Sequence, residues 1–336
     1  MVTKLKIALA QLNPLVGDVI GNTKKLIDVR SKLDEDIDIL VAPELYISGY
    51  PIDDLVLRED FLDLVEKEIN NLAKITTDNK SAIIVGAPRK NANSIKNSVF
   101  VIEKGEIISV KDKHELPNTG VFDEQRIFEK GVLENCVKIK GVNFGLPICE
   151  DIWKETVLKK LSQSGAEIII AINASPFTIS KYDERNDIAL CRVKETKLPI
   201  VYLNRTGGQD ELIFDGSSFS LNYDGKKFSS LEEFKEDIST INFEKNNGKW
   251  IGYGNVKENS SQSERLYKAL VLGLRDYVKN NKFSGVVLGL SGGVDSALVA
   301  ALATDAFGSK FVQAIMLPSP YTVSYTHLRA HETSID

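Results

Sequence analysis

The chain has 336 residues, is 43% hydrophobic, and carries 42 basic against 47 acidic residues, for a formal net charge of −5. That length suits about two domains with cores of their own, and the acidic balance argues against a chain built mainly to grip nucleic acid. No apolar run approaches the ~20 residues that span a bilayer, so no membrane partner is expected.

Met1-Val2-Thr3-Lys4 leads straight into a strand pattern without a signal-peptide core. The cysteines, Cys136, Cys149 and Cys191, are odd in number and lack metal-ligand spacing, so a reduced, cytoplasmic setting and no metal at a cysteine site are expected. Of three histidines, His114, His327 and His331, two fall in the last ten residues. A zinc site or Cys-His dyad has almost nothing to draw on. Any activated cysteine here needs another base.

In chain order, Leu5 to Gln11 reads as a strand, and Thr23 to Leu33 as an amphipathic helix opened by Asn22. A buried strand, Ile37 to Ala42, runs into Pro43-Glu44-Leu45. A helix over Phe61 to Ile75 and a strand over Ala82 to Gly86 follow. Val99 to Glu103 and Ile107 to Val110, joined by Lys104-Gly105, form a hairpin pattern. Strands are expected over Cys136 to Lys140 and Val142 to Ile148, then a helix over Ile152 to Ser162 and a buried strand over Glu167 to Asn173. A helix over Asp183 to Thr196, a strand over Pro199 to Leu203 and two short strands within Leu212 to Tyr223 complete this region. Hairpins interrupt the strand-helix alternation, which implies an α/β fold with mixed sheets. Asn, Gly, Ser and Lys dominate from Phe243 to Ser263 and read as a linker. A helix over Glu264 to Lys279 and the apolar strand Gly285 to Leu290 then open a second α/β unit.

The strand ending at Cys149 is followed at once by Glu150 and Asp151. Acids suit a helix N-terminus, and the same field favours a thiolate, so Cys149 sits where a nucleophile would be placed. A lone cysteine on an apolar run is more often a buried, inert one. Two other strand ends bear on the choice. Glu44 follows a buried strand and Lys113 the hairpin strand, and such ends tend to meet at one edge of an α/β sheet. A carboxylate there can take a thiol proton, and an ammonium can stabilise an oxyanion. Taken singly, Glu44 could cap a turn and Lys113 could be a surface lysine.

Pro43-Glu44-Leu45, the run from Lys113 to Glu124 (Lys-x-x-Leu-Pro-Asn-x-Gly-Val-Phe-Asp-Glu) and Ile148-Cys149-Glu150-Asp151-Ile152-Trp153, in that order, resemble the nitrilase (carbon-nitrogen hydrolase) superfamily. More narrowly they resemble the glutaminase domains of glutamine-dependent NAD synthetases, over roughly residues 5 to 240. The resemblance implies a four-layer α-β-β-α sandwich. It implies Glu44 as general base, Lys113 as oxyanion stabiliser and Cys149 as a nucleophile that forms a glutamyl thioester. It places Thr119, Ser175 and Lys181 at the bound glutamine. Thr119 stands where the family commonly has tyrosine, which loses a ring from that contact. Glu124 is expected as a second carboxylate.

Ser291-Gly292-Gly293-Val294-Asp295-Ser296, after the apolar strand, is a glycine turn opening a helix, a geometry that gathers backbone amides into an anion site. It lacks the Gly-Lys-Ser/Thr of a Walker loop and the Gly-x-Gly-x-x-Gly of a dinucleotide fingerprint. It resembles the PP-loop of the ATP pyrophosphatases, start of a doubly wound domain, and implies ATP binding by Gly289, Leu290, Ser291, Gly292, Gly293, Val294, Asp295 and Ser296, with Mg2+ assisted by Asp295.

The expected division is a glutaminase domain over 1–243, a linker over 244–263, the N-terminal part of a synthetase domain over 264–322, and a non-native tail over 323–336. The expected activity is amidation of deamido-NAD by ATP with ammonia from glutamine. As given, the chain is expected to keep at most the glutaminase half, with homo-oligomers as the family implies. The competing expectations are a stand-alone amidase with a structural appendage, and a non-catalytic scaffold.

Overall fold

Along β1 (Lys4–Gln11), successive side chains fall on opposite faces of the strand, as the two-residue period requires. Ala8 and Ala10 join one apolar layer, while Leu5, Ile7 and Leu9 join another. This double burial sets the architecture. The structure is a computed structural model and describes residues 2–92 and 94–316.

In chain order, β1 is followed by α1 (Val19–Ser31), β2 (Ile39–Val41), α2 (Glu59–Ile75), β3 (Ala82–Asn91), β4 (Ser94–Glu103) and β5 (Glu106–Asp112). Next come α3 (Glu124–Ile127), β6 (Val137–Ile139), β7 (Val142–Gly145), α4 (Glu155–Gln163), β8 (Ile168–Asn173), α5 (Lys181–Thr196) and β9 (Ile200–Asn204). The first unit ends with β10 (Thr206–Gln209), β11 (Leu212–Asp215), β12 (Phe219–Leu221), β13 (Lys227–Ser230), β14 (Asp237–Asn246) and β15 (Lys249–Tyr253). A seven-stranded sheet runs β15-β14-β1-β2-β3-β4-β5 and a six-stranded sheet runs β13-β12-β9-β8-β7-β6. The two pack face to face through Ile7, Val41, Ile84, Phe144, Ile170 and Leu203. Helices α1 and α2 cover the outer face of the first sheet, and α4 and α5 that of the second. The expected α-β-β-α sandwich is the observed fold.

Three local readings differ. Helix α1 starts at Val19, not Thr23, because Asp18 caps it by accepting from Gly21 N–H at 3.0 Å. Asn22 instead turns inward and ties Leu15 to the Ile47 carbonyl. The strand expected to reach Ile148 stops at Gly145. The Asn- and Gly-rich start of the segment read as a linker is a hairpin: Asn247 (φ +50°) and Gly248 (φ +80°) form its turn, and Trp250 is buried. The joining stretch shortens to 254–261.

The second unit comprises α6 (Gln262–Asn280), β16 (Val286–Leu290), α7 (Val294–Phe307) and β17 (Val312–Met316), with β16 and β17 parallel. Helix α6 packs on β10 and β11. Its Asp276 accepts from Asn13 Nδ2 and Gly208 N–H, both at 2.8 Å. Val287 is 65% exposed, so β16 is not a covered strand among the described residues. No helix of these residues is long and apolar enough to cross a membrane. The tail expected at 323–336, with His327 and His331, lies outside the described residues.

Candidate active site

Glu44, Lys113 and Cys149 each follow a strand, β2, β5 and β7, and all three are buried. Glu44 is held by a tight approach between backbones. Gly86 of β3 donates to Pro43 O at 3.1 Å, and a Cβ there would lie 2.7 Å from Glu44 Cα and 2.4 Å from Leu45 N. Only glycine lets the turn bearing Glu44 lie this close to the sheet. The Glu44 carboxylate accepts from Lys113 Nζ at 2.7 Å and Asn97 Nδ2 at 2.8 Å on Oε1, and from Ala174 N–H at 2.8 Å on Oε2.

Lys113 also meets Glu124, whose two oxygens lie 2.9 and 2.8 Å from Nζ. Burial alone would push the ammonium down, but Glu124 and Glu44 outweigh it and hold Lys113 well above the usual lysine value. Burial raises the Glu124 carboxyl against the pull of Lys113. Tyr50 OH donates to Glu124 Oε1 at 3.0 Å. Burial, and then Glu124, keeps that phenol protonated. An ammonium has three donors, and the two carboxylates engage two. The third has no hydrogen-bond partner among the described residues.

Cys149 opens a 3-10 turn, Cys149–Trp153, with φ +47°, a left-handed value that β-carbon-bearing residues adopt only under constraint. A thiolate-favouring helix terminus was expected, but α4 begins only at Glu155. Burial, joined by the Glu44 charge and opposed by Lys113, pushes the thiol well above the usual cysteine value. Burial and the Glu44 charge thus both favour the neutral thiol over the thiolate, and the Glu44 carboxylate is the candidate base.

Asp151 joins the cysteine turn to the lysine strand. Its Oδ1 accepts from His114 N–H at 3.0 Å and Glu115 N–H at 2.7 Å, and its Oδ2 from Ile148 N–H at 3.0 Å. Burial raises its carboxyl from 3.8 to about 7, against the three N–H groups that favour the charge. A carboxyl with a raised value holds its proton more tightly folded than unfolded. Its contribution to stability is therefore full below 3.8 and gone above about 7. The stability of the parent relative to Asp151→Asn is expected to fall by roughly 2–3 kcal/mol between pH 5 and pH 8. Denaturant unfolding of both chains at the two pH values measures it.

Of the residues expected at a bound glutamine, two adjoin this cluster. Ser175 follows Ala174, and its Oγ accepts from Arg185 Nε at 3.1 Å. Arg185 is buried, donates to Asp215 at 2.8 Å, and holds the Ser175 and Pro176 carbonyls. Lys181 opens α5 with its Nζ 4.4 Å from the centre of the Trp153 ring. Thr119 stands apart, exposed on the turn whose carbonyl accepts from Phe122 N–H. Sequence reasoning missed Asn97, Asp151 and Tyr50. Asp151 had a signal in its adjacency to Cys149, whereas Asn97 had none.

At the second constellation, Gly292 takes φ +86° and Gly293 precedes the first turn of α7. Ser291 Oγ and Ser296 Oγ lie 3.2 Å apart, with Gly293 N–H donating to Ser291 Oγ at 3.3 Å. Gly289 and Leu290 close β16, and Asp295 is exposed on the first turn.

A four-layer sandwich with a thiol, an ammonium and two carboxylates buried at its strand ends defines a class. The carbon-nitrogen hydrolase family model matches residues 6–249, and the chain belongs to that family. The NAD synthase model matches residues 266–333, of which those beyond 316 are not described. The glutamine-dependent NAD(+) synthetase of Rhodobacter capsulatus is 39% identical over 96% of this chain and 58% of its own length. The glutamine-dependent NAD+ synthetase of Acinetobacter baumannii, solved in complex with ADP, is 36% identical, with a TM-score of 0.92 over 97% of this chain and 61% of that one. An amidase from Nesterenkonia sp., 19% identical, shares the fold with a TM-score of 0.63 over 72% of this chain and 91% of that one. The chain thus spans about three-fifths of the length of these synthetases.

Proposed function

We propose that Cys149, Glu44 and Lys113 hydrolyse the side-chain amide of glutamine, and that the ammonia serves an ATP-dependent amidation of deamido-NAD to NAD. The observation that carries the reading is the Lys113 ammonium lodged between Glu44 and Glu124, at the strand ends where the buried Cys149 also sits. Glu44 takes the thiol proton as sulfur bonds to the amide carbon, and Lys113 faces the oxygen on which charge develops. The C–N bond breaks, and ammonia leaves with the proton from Glu44. Water, deprotonated by Glu44, then cleaves the thioester to glutamate and restores the thiol. Ser175 and Lys181 border the space for the amino acid end of the substrate, with Thr119 a more distant contact.

The loop from Gly289 to Ser296 suits the phosphates of ATP through its amides and hydroxyls. The described residues contain no group of three His, Cys, Asp or Glu able to hold a metal. Mg2+ binds mainly through nucleotide phosphates with one or two carboxylates; Asp295, exposed on the first turn of α7, is the carboxylate at hand, and the ion would neutralise phosphate charge.

Incubation with diazo-oxo-norleucine, an electrophilic glutamine analogue, followed by mass spectrometry tests the reading. An adduct on Cys149 is expected; an adduct on Cys136 or Cys191 instead, or none, would sink it.

A further inference from the structure

Asn97, on β4, touches both members of the Glu44–Lys113 pair. Its Nδ2 donates to Glu44 Oε1 at 2.8 Å, and its backbone carbonyl accepts from Lys113 N–H at 2.8 Å. The antiparallel register, with Ser98 opposite Asp112, puts it across from Lys113.

A carboxylate offers about two acceptor sites on each oxygen. On Glu44, Oε1 is filled by Asn97 Nδ2 and Lys113 Nζ, while Oε2 takes Ala174 N–H alone. Three acceptor sites are occupied and the open one is on Oε2. We propose that Oε2 of Glu44 receives the Cys149 proton, and that Asn97 is the positioning residue that directs it there by closing Oε1. The inference rests on the hydrolase reading above. The S–H bond breaks and an O–H bond forms on Oε2, while the sulfur electron pair goes to the carbonyl carbon. When the C–N bond breaks, that proton leaves on ammonia, and Oε2 is open again for the proton of the hydrolytic water.

A second observation supports this role. Asn97 is 1% exposed, yet its Oδ1 has no hydrogen-bond partner among the described residues. A structural asparagine in a core satisfies both ends of its amide. Here the donor end is used and the acceptor end is stranded, at a cost to stability, as a group retained for its effect on Glu44 would be. Among the described residues, Oε2 meets the Ala174 N–H and no side-chain donor.

The test uses Asn97→Leu and the near-isosteric Asn97→Asp in the full 336-residue chain. Asn97→Leu frees a site on Oε1. It is expected to lower kcat for ammonia release about 10- to 100-fold while KM moves less than about threefold, since proton transfer and not binding is disturbed. Asn97→Asp sets a carboxyl against Glu44 Oε1, so the two must share a proton. Its pH–rate profile should gain a limb, for titration of the shared proton, that the parent's lacks, an effect that a scaffold role does not produce. Two results overturn the inference: both variants within about threefold of the parent with its pH profile, or losses that only follow a falling Tm. Diazo-oxo-norleucine labelling of the parent separates the two failures. An unlabelled Cys149 brings down the hydrolase reading and this inference with it. A labelled Cys149 with indifferent Asn97 variants brings down this inference alone.

Discussion

Lys113→Met is expected to lower ammonia release from glutamine by at least about a thousandfold and to destabilise the chain by roughly 3–5 kcal/mol. The two effects have one origin. The ammonium is fully buried and is the cation between Glu44 and Glu124. Methionine fills the space but leaves two carboxylates facing each other in a low-dielectric site. Such a pair resists double ionisation and takes up a proton. The stability deficit should therefore shrink as pH falls from 8 to 5, because the variant gains in its folded state a proton that the unfolded chain does not hold. Urea unfolding across that range, with an ammonia assay on the folded fraction, checks both parts. A deficit that is flat with pH would mean that the carboxylates do not interact as the geometry requires.

Cys149→Ala should abolish ammonia release, a loss of at least about ten-thousandfold, since the proposed thioester forms on this sulfur. Its effect on stability should be small and of opposite character to that of Lys113→Met. The thiol makes no hydrogen bond among the described residues and is an apolar occupant of the layer between the sheets. Alanine leaves a small cavity, at a cost of roughly 1 kcal/mol. The φ of +47° at this position is equally adverse for alanine and cysteine. Cys149→Ala should bind glutamine without turning it over, which calorimetry or protection of Tm by glutamine would detect. Residual turnover above about one-thousandth of the parent would remove the sulfur from the mechanism.

Much of the molecule is legible in its sequence. The strand Ile168–Asn173 is apolar up to Ile172 because both faces of its sheet are covered, and that pattern is written in consecutive residues. Glu44, Lys113 and Cys149 were legible as strand-end residues within extended local motifs. Errors arose where residues are used outside the role their type usually suggests. Asn22 looks like a cap and is an inward tie; Asn247-Gly248 looks like linker composition and is a hairpin turn. Cys149 reads as a helix-terminus residue and is a buried thiol opening a 3-10 turn.

Residue order alone determined the layers, the glycine-bracketed turn before α7, and which three strand-end side chains form the candidate site, because short-period hydrophobicity and local motifs record burial and turn geometry directly. Tertiary structure decided how those side chains are held. Asn97 lies 53 residues from Glu44, and Asp151 lies 36 and 37 residues from the amides it holds. Contacts over such separations leave no periodic trace in a single chain; they exist only once the sheets have packed and brought the strand ends together.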